Sequence, residues 1–93
     1  MRAVIYAKQS KTATVYEQFN ACAAYAKRKG YSITGKVLDF NGNALHEAIN
    51  KVIADDQPCA LVVYNQGTFT DFQEAIFYRV YLEKLGKKLV ICN

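Results

Sequence analysis

Short apolar runs alternate with longer amphipathic stretches along the chain. The apolar runs are rich in Val, Ile and Tyr and predict four strands, at residues 2–7, 31–38, 60–64 and 88 to 91 or 92. The run ALVVY, residues 60–64, has no polar alternation and predicts a central strand covered on both faces. Helix follows strand three times, which predicts an α/β fold with right-handed crossovers, a mostly parallel four-stranded sheet and helices on both faces.

The stretches between the strands carry the signals of helix ends. The first helix is expected over about residues 13–29, with one apolar face. Asn43 is expected to cap the second helix, and Thr70 and Gln73 have the spacing of a capping box for the third. In a sheet of this kind, ligands bind beside the loops at the carboxyl ends of the strands. Those loops are residues 9–14, 39–43 and 65–71.

The composition is that of a folded chain with a mild positive charge. Hydrophobic residues make up 52% and charged residues 22%, which is typical of globular domains, and the formal net charge is +4. The basic residues cluster at 27–29 and 84–88, at predicted helix C-termini, where cations complement the helix dipole. Both clusters fall at the edge of the sheet opposite the expected site, so we expect DNA contact to be weak or indirect.

The cysteines give no sign of a metal site. Cys22, Cys59 and Cys92 show no C-x-x-C spacing, so we expect free thiols in a cytoplasmic protein with no metal and no other cofactor. Cys22 falls on the inner face of the first helix, where it is expected to be a core residue. No apolar run approaches the roughly 20 residues that a membrane helix needs, so no membrane partner is expected.

The third helix is apolar around most of its circumference. Its apolar residues are Phe72, Ala75, Ile76, Phe77, Tyr78, Val80, Tyr81, Leu82 and Leu85. One face of a sheet cannot cover all of them, so the excess predicts a second contact face, for a protein partner or for self-association. The predicted partner-binding residues are Phe77, Tyr78, Tyr81 and Leu85. The alternative is that amphipathic tyrosine rings simply lie on the surface.

The segment IYAKQS, residues 5–10, resembles the opening of the serine recombinase (resolvase/invertase) catalytic domain. In that family a first strand ends in Tyr-x-Arg-x-Ser, and the serine attacks a DNA phosphodiester. The similarity continues in order through YAKRKGY, the Gly-containing turn after Asp39, ALVVY and LEKLGKKLVICN. The resemblance spans essentially all 93 residues and implies a three-layer resolvase-like (flavodoxin-like) fold.

The resemblance assigns roles to four residues. Ser10 stands at the position of the nucleophile and Tyr6 at that of the motif tyrosine. Gln18 matches a glutamine that helps to order the site. Lys8 replaces the motif arginine, which keeps the positive charge but loses the planar fork that binds a phosphate through two hydrogen bonds.

The departures from the family pattern affect the residues that would stabilise the reacting phosphate. Gly67 and Thr70 occupy two arginine positions, and only His46 lies near a third. Removing one such contact typically costs on the order of 10²- to 10³-fold in rate, so we interpret Ser10 as the position of a vestigial nucleophile. Family members also continue into further sheet, a long helix and a DNA-binding domain. We therefore expect a degenerate and truncated member of the family, with a single domain over residues 1–93 and no separate DNA-binding domain.

Three functions are compatible with the sequence. We favour a recombinase-like domain that has lost strand cleavage and acts as a regulatory or protein-binding module, linked to DNA recombination or to a phage or mobile-element switch. The second is an active DNA strand-transfer recombinase with Ser10 as its nucleophile. The third is a module that binds a small anion or ligand at the loops SKTAT and NQGTFT, whose hydroxyl groups and backbone donors lie at helix N-termini.

Overall fold

The four strands form one sheet in which every neighbouring pair is parallel. The computed structural model describes residues 1–93. In chain order its elements are β1 (Arg2–Lys8), α1 (Val15–Arg28), β2 (Ser32–Asp39), α2 (Leu45–Ala54), β3 (Cys59–Val63), α3 (Phe72–Lys84) and β4 (Lys88–Ile91), with a 3₁₀ turn at Gln66–Thr68 between β3 and α3. The strand order is β2-β1-β3-β4. This confirms the predicted α/β class and the predicted central position of β3.

Helices cover both faces of the sheet, as predicted. α2 and α3 pack on one face, where Tyr6, Leu61 and Leu82 belong to a cluster of 13 buried residues. α1 covers the other face, where Cys22 and Ile5 belong to a smaller cluster of 6. The two clusters differ in size because two helices lie on the first face and one on the second. β1 and β3 are buried on both faces, since they hold the two central positions.

A capping box determines where α1 begins. Thr14 Oγ1 accepts a hydrogen bond from the Glu17 N–H at 3.0 Å, and the Glu17 carboxylate accepts one from the Thr14 N–H at 2.9 Å. The two bonds satisfy donors that a helix N-terminus leaves free. α1 therefore starts at Val15 rather than at residue 13. It ends before Gly30, which has a φ of +75° and terminates the helix in the left-handed conformation.

The capping box predicted for α3 was wrong by one residue. Asp71, and not Thr70, caps the helix, because its carboxylate accepts the Glu74 N–H at 2.8 Å. The Glu74 carboxylate in turn accepts the Thr70 N–H at 2.9 Å. Asp71 and Glu74 thus hold the start of α3, although the Glu74 carboxylate binds the N–H of Thr70 and not that of the N-cap residue. Gln73 is exposed and takes no part in these bonds.

The basic clusters lie where the sequence placed them. Lys27 and Arg28 are in the last turn of α1, and Lys84 is in the last turn of α3. Lys87 donates to the backbone carbonyl of Gln57 at 2.8 Å, in the loop before β3. These residues lie at the amino-terminal edge of the parallel sheet, away from the carboxyl ends of its strands. No helix in the structure combines the length and the apolar character that crossing a membrane requires.

Candidate functional site

A cleft opens at the carboxyl edge of the sheet, where the fold places ligand sites. Its volume is about 180 Å³. It lies beside the end of β1, the turn between β2 and α2, and the loop between β3 and α3. Its walls consist of Tyr6, Lys8, Gly42, Asn43, Leu45, His46, Thr68, Thr70, Glu74 and Tyr78. Two of the four residues that the resemblance singled out, Tyr6 and Lys8, therefore face it.

The carboxylate of Asp39 organises the turn between β2 and α2. Its Oδ1 accepts hydrogen bonds from the backbone N–H groups of residues 41–43 at 2.7–3.3 Å. Its Oδ2 accepts the Ala44 N–H at 2.8 Å and the hydroxyl of Tyr6. Asn43 was expected to cap α2, but Ala44 is the N-cap residue and no side chain caps it. The free N–H groups before α2 bind Asp39 instead.

Burial and hydrogen bonding give Tyr6 and Asp39 opposite protonation preferences. Burial, together with the bond to Asp39 and the nearby carboxylates, raises the pKa of Tyr6 far above its usual range. Burial acts to raise the pKa of Asp39 too. The hydrogen bonds from Tyr6 and from the backbone outweigh that effect and lower this pKa. Tyr6 is therefore a neutral donor and Asp39 a charged acceptor at neutral pH.

Gln18 holds the loop that follows β1. This side chain is 3% exposed. Its Oε1 accepts the Lys8 N–H at 3.1 Å, and its Nε2 donates to the Lys8 carbonyl at 2.5 Å and to the Ala13 carbonyl at 3.1 Å. The same nitrogen lies 3.4 Å from Ser10 Oγ. Gln18 thus links α1 to both ends of the segment that carries Ser10.

Ser10 is exposed and does not line the cleft. Its hydroxyl donates to the Ala13 carbonyl at 3.0 Å and accepts the Ala13 N–H at 3.2 Å. The remaining neighbours of its oxygen are Thr12 Oγ1 and Gln18 Nε2, both at 3.4 Å. A serine needs a base to become a nucleophile, and none of these partners is one. Ser10 stabilises a turn before α1, whose cap is Thr14.

The cleft contains little positive charge. Lys8 is its only lysine or arginine, and the carboxylate of Glu74 stands on the same walls. Arg2 forms an ion pair at the opposite edge of the sheet. Arg28 lies in the last turn of α1, and Arg79 lines a separate small pocket on α3. The chain has no other arginine, so no guanidinium faces the cleft.

The architecture matches that of a known catalytic domain. The whole chain superposes on 78% of the crystal structure of the N-terminal catalytic domain of TP901-1 integrase, with a TM-score of 0.76 and 18% sequence identity. The fold is resolvase-like. No family model and no curated protein matches the chain. At this level of identity the superposition establishes the fold, and the chemistry of the site has to be argued from the side chains.

Outside the cleft, the resolvase-like fold leaves much of α3 uncovered. Only Ala75 and Leu82 of this helix are fully buried. Six large apolar side chains on and just after it are 41–61% exposed and form what we term the α3 face: Phe72, Ile76, Phe77, Val80, Tyr81 and Leu85. Within this face the rings of Phe77 and Tyr81 stack, with centroids 6.1 Å apart and planes 4° from parallel.

Tyr78 differs from the other residues of the predicted partner-binding set. It is half-buried and lines the cleft. Its ring stacks on that of Phe69 at 6.1 Å and meets the edge of His46 at 6.2 Å. Burial, and the nearby Glu74, raise the pKa of Tyr78. The exposed members of the predicted set are therefore Phe77, Tyr81 and Leu85.

Proposed function

We propose that this chain is a recombinase-like domain that does not cleave DNA and that acts by binding protein through the α3 face. The observation that carries the proposal is the exposure of six large apolar side chains on one helix of a small domain. Such a domain would take part in DNA recombination, or in a phage or mobile-element switch, as a regulatory module that does not cut DNA itself. The likeness of the fold to an integrase catalytic domain supports this setting.

The composition of the cleft supports the loss of cleavage. Transfer of a phosphodiester spreads negative charge over the phosphate oxygens, which preorganised cations must stabilise. The cleft offers one lysine for this purpose, and a carboxylate stands beside it. Ser10 lies outside the cleft and lacks a base among its hydrogen-bond partners. Both features support a loss of nucleophile activation and of transition-state stabilisation.

The partner that we propose for the α3 face is a second copy of this chain. Phe77, Tyr81 and Leu85 follow one another at four-residue spacing, so they form a single row along the helix. An antiparallel pair of α3 helices related by a twofold axis at Tyr81 would place Phe77 of each copy against Leu85 of the other. Such a contact uses the same surface twice, as twofold-symmetric dimers do.

The size of the face limits the strength of this pairing. Its six side chains expose on the order of 500 Å² of apolar surface, which is as large as the biggest patch on a typical monomer. In this arrangement only the row of Phe77, Tyr81 and Leu85 faces the partner, because Phe72 lies about 180° around the helix from Tyr81. Two such rows would hide roughly 600 Å², which is below the ~1,200 Å² of stable specific interfaces. We therefore expect a weak dimer that forms only at high protein concentration.

Sedimentation velocity over a range of concentrations tests the pairing. We expect the wild-type chain to shift from monomer to dimer as its concentration rises, and Tyr81→Glu to remain monomeric, because a buried carboxylate at the axis would lack a partner. Tyr16→Glu is the matched control, since Tyr16 is an exposed tyrosine on α1 with 62% exposure. It should dimerise like the wild type. A wild-type chain that stays monomeric at all concentrations contradicts self-pairing.

A separate assay tests the loss of cleavage. Supercoiled plasmid incubated with the wild-type chain and run under denaturing conditions should carry no covalently attached protein. Ser10→Ala should be indistinguishable from the wild type in this assay. An adduct that forms with the wild type and disappears with Ser10→Ala would instead establish an active strand-transfer enzyme. The two assays have independent outcomes, so either half of the proposal can fail alone.

A further inference from the structure

Two cysteines that are 70 residues apart in sequence lie side by side in the fold. Cys22 Sγ, on the buried face of α1, is 3.3 Å from Cys92 Sγ, in the segment after β4. All three cysteines of the chain are free thiols in the structure. Cys59, the third, is buried, and its thiol lies near a backbone carbonyl and the Asp55 carboxylate rather than near another sulfur. The Cys22–Cys92 pair is therefore the only place where two thiols can react within one molecule.

The two thiols have different environments. Cys22 has no exposed surface, whereas Cys92 is half-buried. Burial, and then the neighbouring Cys92 sulfur, raise the pKa of the Cys22 thiol far above its usual range. Cys92 is held in place by its backbone, since its N–H donates to the Val63 carbonyl at 3.0 Å. An oxidant from solvent therefore meets Cys92 first, with Cys22 behind it as the second thiol.

We infer that Cys22 and Cys92 form an oxidative modification site, at which a peroxide converts the two thiols into a reversible disulfide. In the first step the Cys92 sulfur attacks the peroxide, the O–O bond breaks, and a sulfenic acid and one water form. In the second step the Cys22 sulfur displaces that hydroxyl group as a second water, and the S–S bond forms. The two thiols lose two electrons and two protons together, which the peroxide accepts.

The position of the pair gives the disulfide a structural consequence. The two sulfurs are about 1.3 Å farther apart than the sulfurs of a disulfide, so they must approach by that distance for the S–S bond to form. The bond would link α1 to the far edge of the sheet and close a loop of about 70 residues, which restricts the unfolded chain strongly. Cys22 is also one helical turn after Gln18, which holds the Lys8 and Ser10 loop. Oxidation would therefore stiffen the α1 side of the fold, independently of any pairing through the α3 face.

Peptide mapping after treatment with hydrogen peroxide tests the site. Trypsin separates the three cysteines into peptides 12–27, 52–79 and 89–93. We expect 12–27 to become linked to 89–93, with a loss of two hydrogens, while 52–79 keeps its thiol and serves as the internal control. Dithiothreitol should reverse the link. The melting temperature should rise by roughly 10 °C or more on oxidation, and Cys92→Ser should show no such rise.

Three outcomes would overturn the inference. The first is that both thiols still react with iodoacetamide after peroxide treatment and unfolding. The second is that Cys92 is converted to a sulfinic acid while Cys22 stays reduced. The third is a link between peptides 89–93 of two molecules. Because Cys92 is half-buried and serine has nearly its shape, the Cys92→Ser variant is expected to fold, and the mapping itself needs no variant.

Discussion

At the scale of single residues, one carboxylate does most to shape the site. Asp39 ends β2 and binds four backbone N–H groups and the Tyr6 hydroxyl at once. The sequence showed an acidic residue at a strand end before an Asn-Gly pair, which indicated a turn. It did not show that the same carboxylate would reach across to β1, because that contact joins residues 33 positions apart.

Asp39→Asn is expected to lower the free energy of unfolding at pH 7 by about 3 kcal/mol. The amide keeps one acceptor oxygen, but it loses the charge and turns an NH₂ group toward backbone donors that are left unsatisfied. Urea denaturation followed by circular dichroism measures the change. Asp56→Asn, at an exposed position near the other edge of the sheet, should change stability by less than about 0.5 kcal/mol. Equal losses in the two variants would refute the role assigned to Asp39.

The same residue predicts a dependence of stability on pH. The pKa of Asp39 is lower in the folded than in the unfolded chain. The contribution of Asp39 to the free energy of unfolding is therefore complete above its unfolded-state pKa of about 3.9. It is lost as pH falls through the lower pKa of the folded chain. We expect the stability difference between the wild type and Asp39→Asn to shrink below about pH 4. A difference that stays constant from neutral pH down to about pH 2.5 would contradict this linkage.

At the scale of elements, α3 is held by few contacts. Its buried residues are Ala75 and Leu82. Its N-terminus depends on the bond from the Thr70 N–H to the Glu74 carboxylate and on the bond from the Glu74 N–H to the Asp71 carboxylate. A helix with so little buried surface relies on its cap more than one embedded in the core does. The same lack of cover makes the α3 face available for pairing.

Asp71→Ala is expected to cost about 1 kcal/mol of stability, because it leaves the Glu74 N–H without its acceptor. Thr70→Ala is the matched comparison. Its backbone N–H still reaches the Glu74 carboxylate and its side chain caps nothing, so we expect a change below about 0.5 kcal/mol. The melting temperatures of the two variants, compared with that of the wild type, measure these changes. A larger loss of stability in Thr70→Ala than in Asp71→Ala would contradict this assignment and favour the capping box predicted at Thr70 and Gln73.

At the scale of the whole molecule, β3 connects the two halves of the core. Leu61 points into the cluster under α2 and α3, while its neighbour Val62 points into the cluster under α1. Alternate residues of one strand thus serve both faces of the sheet. Because the two clusters share β3, a substitution that loosens the packing of one cluster also destabilises the other. We therefore expect the chain to unfold in a single transition.

Leu61→Ala is expected to lower the free energy of unfolding by about 3 kcal/mol, through the lost burial and the cavity left behind. Leu85→Ala removes the same atoms from a residue that is 46% exposed and should cost less than about 0.5 kcal/mol. Tyrosine fluorescence and far-ultraviolet circular dichroism should report the same midpoint for each variant. Separate midpoints for the two signals would show that the two halves of the core unfold independently.

The fold was largely predictable because its signals are local. Four apolar runs and three helical periodicities determine the elements, and the order of strand and helix restricts the sheet to parallel crossovers. The errors lie at helix ends. Asn43 and Thr70 have the residue types of caps, but each helix begins one residue later, after Ala44 and after Asp71. The Ala44 N–H binds Asp39, and the Glu74 N–H binds Asp71.

The sequence by itself determined the helices and strands, the presence of only three arginines and the excess of apolar side chains on α3. All of these follow from composition or from neighbours along the chain. Only the tertiary structure decided that Ser10 does not line the cleft, that Tyr78 does, and that Cys22 meets Cys92. The physical reason is that contacts between distant residues depend on how the helices lie on the sheet. Periodicity indicates which face of a helix is buried, but it does not indicate what that face will touch.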